Sequence, residues 1–142
     1  MLMRPVGFFR EMNPDNLSTF REPILGDPGQ GQEYDREKVV EYLRSGCPLF
    51  DVTEGTVDVI GGKFQVPGGS SVVGDGEFVW RVDLSAYVEE YSIALPADFL
   101  EFIEMNRYEV PEVSRERLLE LSRQVRGMLN FRADPGAGPR RR

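Results

Sequence analysis

Carboxylates are the only side chains numerous and closely spaced enough here to suggest chemistry. Asp51, Glu54 and Asp58 form one spaced set, and Asp75, Glu77 and Asp83 form a second. Two carboxyl groups suffice for acid–base cleavage of a glycosidic bond, and a spaced acidic set can hold magnesium or calcium. The chain of 142 residues has no histidine, so the usual general base and the commonest ligand for zinc, copper and iron are missing. A calcium loop uses a denser ligand order with glycine at its sharp turn, and Asp51, Glu54 and Asp58 have neither. That set reads as a solvated strand edge, and Asp75, Glu77 and Asp83 read as hairpin and cap residues.

Two further candidates resolve the same way. Gly68-Gly69-Ser70-Ser71 could wrap a phosphate with its amides, but it lacks the lysine and the strand-to-helix context of a phosphate loop. It reads as a turn. Cys47 is the single cysteine, which excludes an internal disulfide, and between Gly46 and Pro48 it reads as a small packing or turn residue. No catalytic residue, metal or cofactor is expected.

The elements that would position these groups follow from pattern. Val6, Phe8 and Phe9 suggest a short strand or clip docked on the core, and the turn-rich stretch up to residue 34 reads as a surface loop. Asp35 reads as the N-cap of a helix burying Val39, Val40 and Leu43, stopped by Gly46, with a strand at 49–52. Gly61-Gly62 predicts a two-residue hairpin turn with positive φ at both positions, setting Val59 against Phe64 and Val57 against Val66. Asp75-Gly76 predicts a second hairpin, with Val73 opposite Phe78 and Ser71 opposite Trp80, the tryptophan facing the core. Leu84, Tyr87, Val88 and Tyr91 make one apolar helical stripe, and Phe99, Leu100 and Ile103 make another after Pro96. Ser114 caps a last helix running to about Asn130 with Leu118, Leu121, Val125, Met128 and Leu129 inward. The expected fold is α+β, a single domain with a mainly antiparallel sheet of two or more hairpins and four short-to-medium helices. Its expected layout is a clip and loop over 1–34, a globular domain over 35–130 and a disordered basic tail over 131–142.

Charge is uneven along the chain. Residues 37–112 carry 15 acidic and 5 basic side chains, whereas residues 113–142 carry 3 and 8. A centre with a net of −10 repels nucleic-acid phosphates and attracts basic partners. Glu89, Glu90, Asp98, Glu101 and Glu104 are the densest acids near Tyr87 and Tyr91, whose phenol tips suit a wet edge. These seven residues are the candidate partner-binding surface, because carboxylates around aromatics suit the basic groove of another protein. Arg115, Arg117, Arg123 and Arg126, with Arg140, Arg141 and Arg142, could touch nucleic acid only weakly, since Glu116 and Glu120 interrupt the helical set. The opening residues do not read as an export signal and no apolar run approaches membrane-span length, so a cytoplasmic protein is expected.

The opening Met3-Arg4-Pro5-Val6-Gly7-Phe8-Phe9-Arg10-Glu11 and the stretch Asp75-Gly76-Glu77-Phe78-Val79-Trp80-Arg81-Val82-Asp83-Leu84 through Tyr87 and Tyr91 to Leu95-Pro96 carry a resemblance. They are similar to a group of small uncharacterised actinobacterial proteins with Asp-Gly-Glu-aromatic-x-Trp, Asp-Leu-x-x-Tyr and Leu-Pro-x-x-Phe in order. The likeness covers residues 3–11 and about 37–105. It implies no activity and transfers no catalytic residue. In size and acidity such proteins look like bacterial immunity proteins. The expected function is a non-enzymatic module presenting an acidic face to a basic protein, with toxin neutralisation its most concrete form. The alternatives are a subunit of a larger assembly, an oligomer included, and a carboxylate- or metal-dependent enzyme of unknown substrate.

Overall fold

The computed structural model describes residues 3–21, 23–24 and 34–129. The expected basic tail, and the glycine-rich part of the early loop, lie outside the described residues. Among the described residues four α-helices, a short 3-10 turn at Arg10–Met12 and six strands form one α+β unit. The strands are β1 (Arg4–Val6), β2 (Cys47–Phe50), β3 (Thr56–Val57), β4 (Gln65–Val66), β5 (Val72–Gly74) and β6 (Phe78–Arg81). The helices are α1 (Arg36–Arg44), α2 (Leu84–Tyr91), α3 (Ala97–Met105) and α4 (Arg115–Met128).

The main sheet has the order β1-β6-β5-β2, and β3 and β4 make a separate hairpin. β5 and β2 join antiparallel to β6 and β5, but β1 lies parallel to β6, with Val6 beside Trp80. The sheet is therefore mixed. β1 and β2 are its outer strands, and each contains a proline, Pro5 and Pro48, which has no N–H to give to a ladder. The strand read at 49–52 begins earlier, at Cys47, because an outer strand tolerates Pro48.

β6 is buried on both faces. Val6, Phe78 and Trp80 pack with Tyr42 and Leu43 of α1, Leu84, Tyr87 and Val88 of α2, and Phe99 and Ile103 of α3. The reverse face, Val72, Val79 and Leu49, meets Leu121 and Val125 of α4 together with Phe8 and Phe20. The centre of the first face is Trp80, whose ring lies 5.4 Å from that of Phe99 and 5.9 Å from that of Tyr42. Its indole N–H donates to the carbonyl of Leu43 at 3.0 Å, so the tryptophan is buried with no polar group unmet. Phe20 and Ile24, within the stretch read as surface loop, are also core residues. Isolated apolar residues among turn formers give no periodic signal, so local pattern does not reveal their burial.

Helix ends follow the caps read from sequence. Asp35 accepts from the amide of Lys38 and Ser114 from that of Arg117, satisfying N–H groups that the first turn leaves without partners.

Both hairpins differ in register from the expectation. Thr56 pairs with Val66 and Val57 with Gln65, and the amide of Asp58 donates to Phe64. The connection is thus longer than two residues, and of the glycine pair only Gly62 has positive φ. A one-residue slip exchanges the faces of a strand. Val57 and Val59 point outward, 56% and 41% exposed, while Asp58 turns in at 5%. In the second hairpin Val73 lies opposite Trp80 and Gly74 opposite Val79. Gly76, at φ +100°, is the first central residue of the turn, the place that a type II′ turn gives to glycine. This shift by two in pairing keeps the facing, so Phe78 and Trp80 remain inward.

Replacing Phe99 by alanine is expected to lower the unfolding free energy by about 3–5 kcal/mol. Leu119→Ala, on the outward side of α4, is expected to change it by less than about 0.5 kcal/mol. Chemical denaturation of the two variants checks the facing of α3 and α4.

Candidate functional site

The central aspartates are structural, and they stand apart from one another in role. Asp75 accepts from the amides of Glu77 and Phe78 with Oδ1, and from the Tyr42 hydroxyl with Oδ2 at 2.6 Å. Asp83 takes the guanidinium of Arg81 in a two-pronged contact, 3.1 Å at Nε and 2.9 Å at Nη2, and also the Thr56 hydroxyl at 2.9 Å. Its side chain makes no cap bond to α2, contrary to the cap role read from its position. Asp58 accepts from the amides of Ile60, Gly61 and Lys63 and from the Tyr91 hydroxyl. It is no solvated edge residue, whereas Asp51 and Glu54 are exposed as that reading expects. Among the described residues no three acids or cysteines gather as a metal site.

Burial acts on all three carboxyls, and their hydrogen bonds oppose it. Burial pushes the carboxyls of Asp75 and Asp83 above the ordinary range, against the hydrogen bonds of Tyr42 and the charge of Arg81. Burial pushes Asp58 up as well, but the bonds from Tyr91, Lys63, Ile60 and Gly61 outweigh it and hold the carboxyl below its ordinary value. Burial, then the charge of Asp75, raises the Cys47 thiol, the opposite of what a nucleophilic cysteine needs.

The seven residues of the expected binding surface do not form one face. Tyr87 is in the core, its hydroxyl accepting from the amide of Val59 at 2.9 Å, so it presents no ring to a partner. Tyr91 is half-buried and gives its hydroxyl to Asp58. Glu89 pairs with Arg44 at 3.4 Å, Glu90 with Lys63 at 3.5 Å, and Asp98 with Arg4. Glu101 and Glu104 are exposed and have no ion pair among the described residues. Of the helical arginines, Arg117 donates to the Gly76 carbonyl and pairs with Glu120, which ties α4 to the second hairpin.

Glu101 and Glu104 border a groove of about 760 Å³ between α1 and α3. The α3 side presents Ala97, Leu100, Glu101, Glu104 and Met105, the i, i+3, i+4, i+7, i+8 stripe of one helical face. Opposite stand Tyr34, Asp35 and Val39, and Tyr108 closes the end. Three carboxylates thus rim the groove, the half-buried rings of Tyr34 and Tyr108 form its aromatic floor over the buried Val39 and Leu100, and Met105 is 73% exposed. Tyr34 is fixed by donating its hydroxyl to the Ile93 carbonyl at 2.6 Å, and burial pushes its phenol up to about 12. Asp58, Asp75 and Asp83 line neither this groove nor a larger apolar cavity of about 880 Å³ between β1 and the start of α3.

The contribution of Tyr34, Asp35 and Tyr108 escapes the sequence reading, which looks only near Tyr87 and Tyr91. Tyr108 is placed by the turn that ends α3. The amide of Tyr108 bonds to Ile103 and that of Arg107 to Glu104, the two bonds of a Schellman ending. Arg107 sits in the left-handed region, φ 56°, where glycine is usual, so no glycine in the sequence announces this ending.

Two measurements follow. Arg107→Gly relieves a left-handed conformation at an exposed position and is expected to raise stability by about 0.5–1 kcal/mol in urea denaturation. Asp58 has a folded pKa below its unfolded one, so its contribution is present above the unfolded value and lost as pH falls through the folded one. Asp58→Asn is expected to lose less stability than wild type as pH falls from about 5 through the acid range. Equal acid slopes for the two proteins contradict this assignment.

A scan against protein-family models, a search of curated proteins and a search of solved structures each return no match.

Proposed function

We propose that this chain is a non-enzymatic interaction module that receives a basic, partly apolar segment of a protein partner in the groove between α1 and α3. Neutralisation of a basic toxin, in the manner of an immunity protein, is its most concrete form. One observation carries the reading: Glu101 and Glu104, unpaired among the described residues, stand beside the exposed thioether of Met105 and the aromatic floor. Carboxylates on a rim steer and orient a cationic chain, while methionine adapts to side chains of varied shape. The net of −10 across residues 37–112 extends that attraction beyond contact distance. Nucleic acid fits poorly, because its phosphates would meet the same carboxylates.

The enzyme reading finds no comparable support. Asp58, Asp75 and Asp83 are each committed to backbone amides, a hydroxyl or a guanidinium, and they border neither cavity described above. Removing one would open the fold before it changed any reaction.

A fluorescent peptide of alternating arginine and leucine, followed by anisotropy, tests the proposal. It is expected to bind wild type at low salt, and Glu101→Gln with Glu104→Gln is expected to weaken binding about tenfold, roughly 0.7 kcal/mol for each rim charge. Both affinities are expected to fall as salt rises. Equal binding by wild type and the double variant would place the contact elsewhere and sink the proposal.

A further inference from the structure

Lys38 marks where in the groove a partner's cation belongs. Its ammonium lies 5.2 Å from the centre of the Tyr108 ring and 4.0 Å from Asp35 Oδ2. Both partners line the groove, Asp35 on the α1 side and Tyr108 at the closed end beyond α3. Asp35 divides its carboxylate: Oδ1 caps α1 through the Lys38 amide at 3.2 Å, and Oδ2 faces the ammonium. Tyr108 is brought opposite by the ending of α3, with its amide on the Ile103 carbonyl. An aromatic face and a carboxylate thus converge on one positive charge, the combination that suits a lysine or an arginine.

We infer that this is a cation subsite, filled in the free protein by the chain's own Lys38, which the arginine or lysine of an incoming segment displaces. The inference rests on the proposed basic-segment function and adds its anchoring point. Displacement is feasible because the resident contact is weak: Lys38 and Asp35 are exposed, and an exposed ion pair is largely screened by solvent. An incoming cation gains the same ring and carboxylate, while its neighbours reach Glu101, Glu104 and Met105. Lys38 is then a built-in competitor that lowers affinity for segments offering charge alone. It favours those whose apolar residues also use the floor.

The same arginine–leucine peptide provides the test, with Lys38→Met measured against Arg36→Met. Both variants delete one charge from the first turn of α1. Arg36, however, hydrogen-bonds Ser92 and lines a different surface depression, and its charge reaches the groove at Tyr34, whereas Lys38 lies over the Tyr108 ring. Lys38→Met is expected to tighten binding about fivefold, and Arg36→Met by less than about twofold, the part due to net charge alone. Adding Tyr108→Leu to Lys38→Met is expected to cancel most of the gain. Equal tightening by Lys38→Met and Arg36→Met, or a gain that survives Tyr108→Leu, overturns the subsite. If those results accompany a loss of binding in the Glu101→Gln, Glu104→Gln variant, the groove function stands without the subsite. If neither wild type nor Lys38→Met binds the peptide at low salt, both readings fall.

Discussion

The contact between Arg81 and Asp83 holds the joint on which the other elements turn. Arg81 ends β6, Asp83 starts α2, and the Thr56 hydroxyl brings in the β3–β4 hairpin at the same carboxylate. Both charges are buried, and taking them from water costs several kcal/mol unless the geometry restores it. Two parallel N–H bonds and a hydroxyl do so. An ion pair of this kind contributes little net stability, yet losing one partner leaves a buried charge uncompensated. Its role here is to fix the angle between strand and helix, and so the direction in which α2 leaves the sheet.

From that direction the rest follows. α1 packs on α2, and α3 returns across the same side of the sheet to place Phe99 against Trp80. The hairpin closes over α2 by giving Val59 to Tyr87, Phe64 to the Tyr87 ring at 4.8 Å, and Asp58 to Tyr91. The space left between α1 and α3 is therefore a groove with walls held by the core. Its acids are exposed because the buried faces of both helices are already occupied.

Periodic segments were legible in the sequence. The helical stripes, the caps at Asp35 and Ser114, the core position of Trp80 and the α+β class all stand in the structure. What escaped was non-local or rested on a single residue. Val6 pairs with Trp80 across most of the chain, and no local pattern reports such a partnership. Gly61-Gly62 invited a tight turn, but Asp58 folds its carboxylate over the loop amides and stabilises a longer one. In sequence that aspartate, between two valines, looks like the solvated outer residue of a strand. In the groove, Glu101 and Glu104 were identified, while Tyr34, Asp35 and Tyr108 were not. The latter are neighbours of α3's exposed face only after α1 and the Schellman turn are in place.

Pro5 and Pro48 deserve a last consequence, since they occupy the two margins of the main sheet. The amide of Arg4 donates inward to Glu77, so the nitrogen of Pro5, next in alternation, faces away from the sheet. On the β1 flank an approaching extended chain meets a ring where it would need a donor, and Pro48 likewise removes one donor from β2. Strand addition is thereby discouraged along the margin of the sheet that β1 forms.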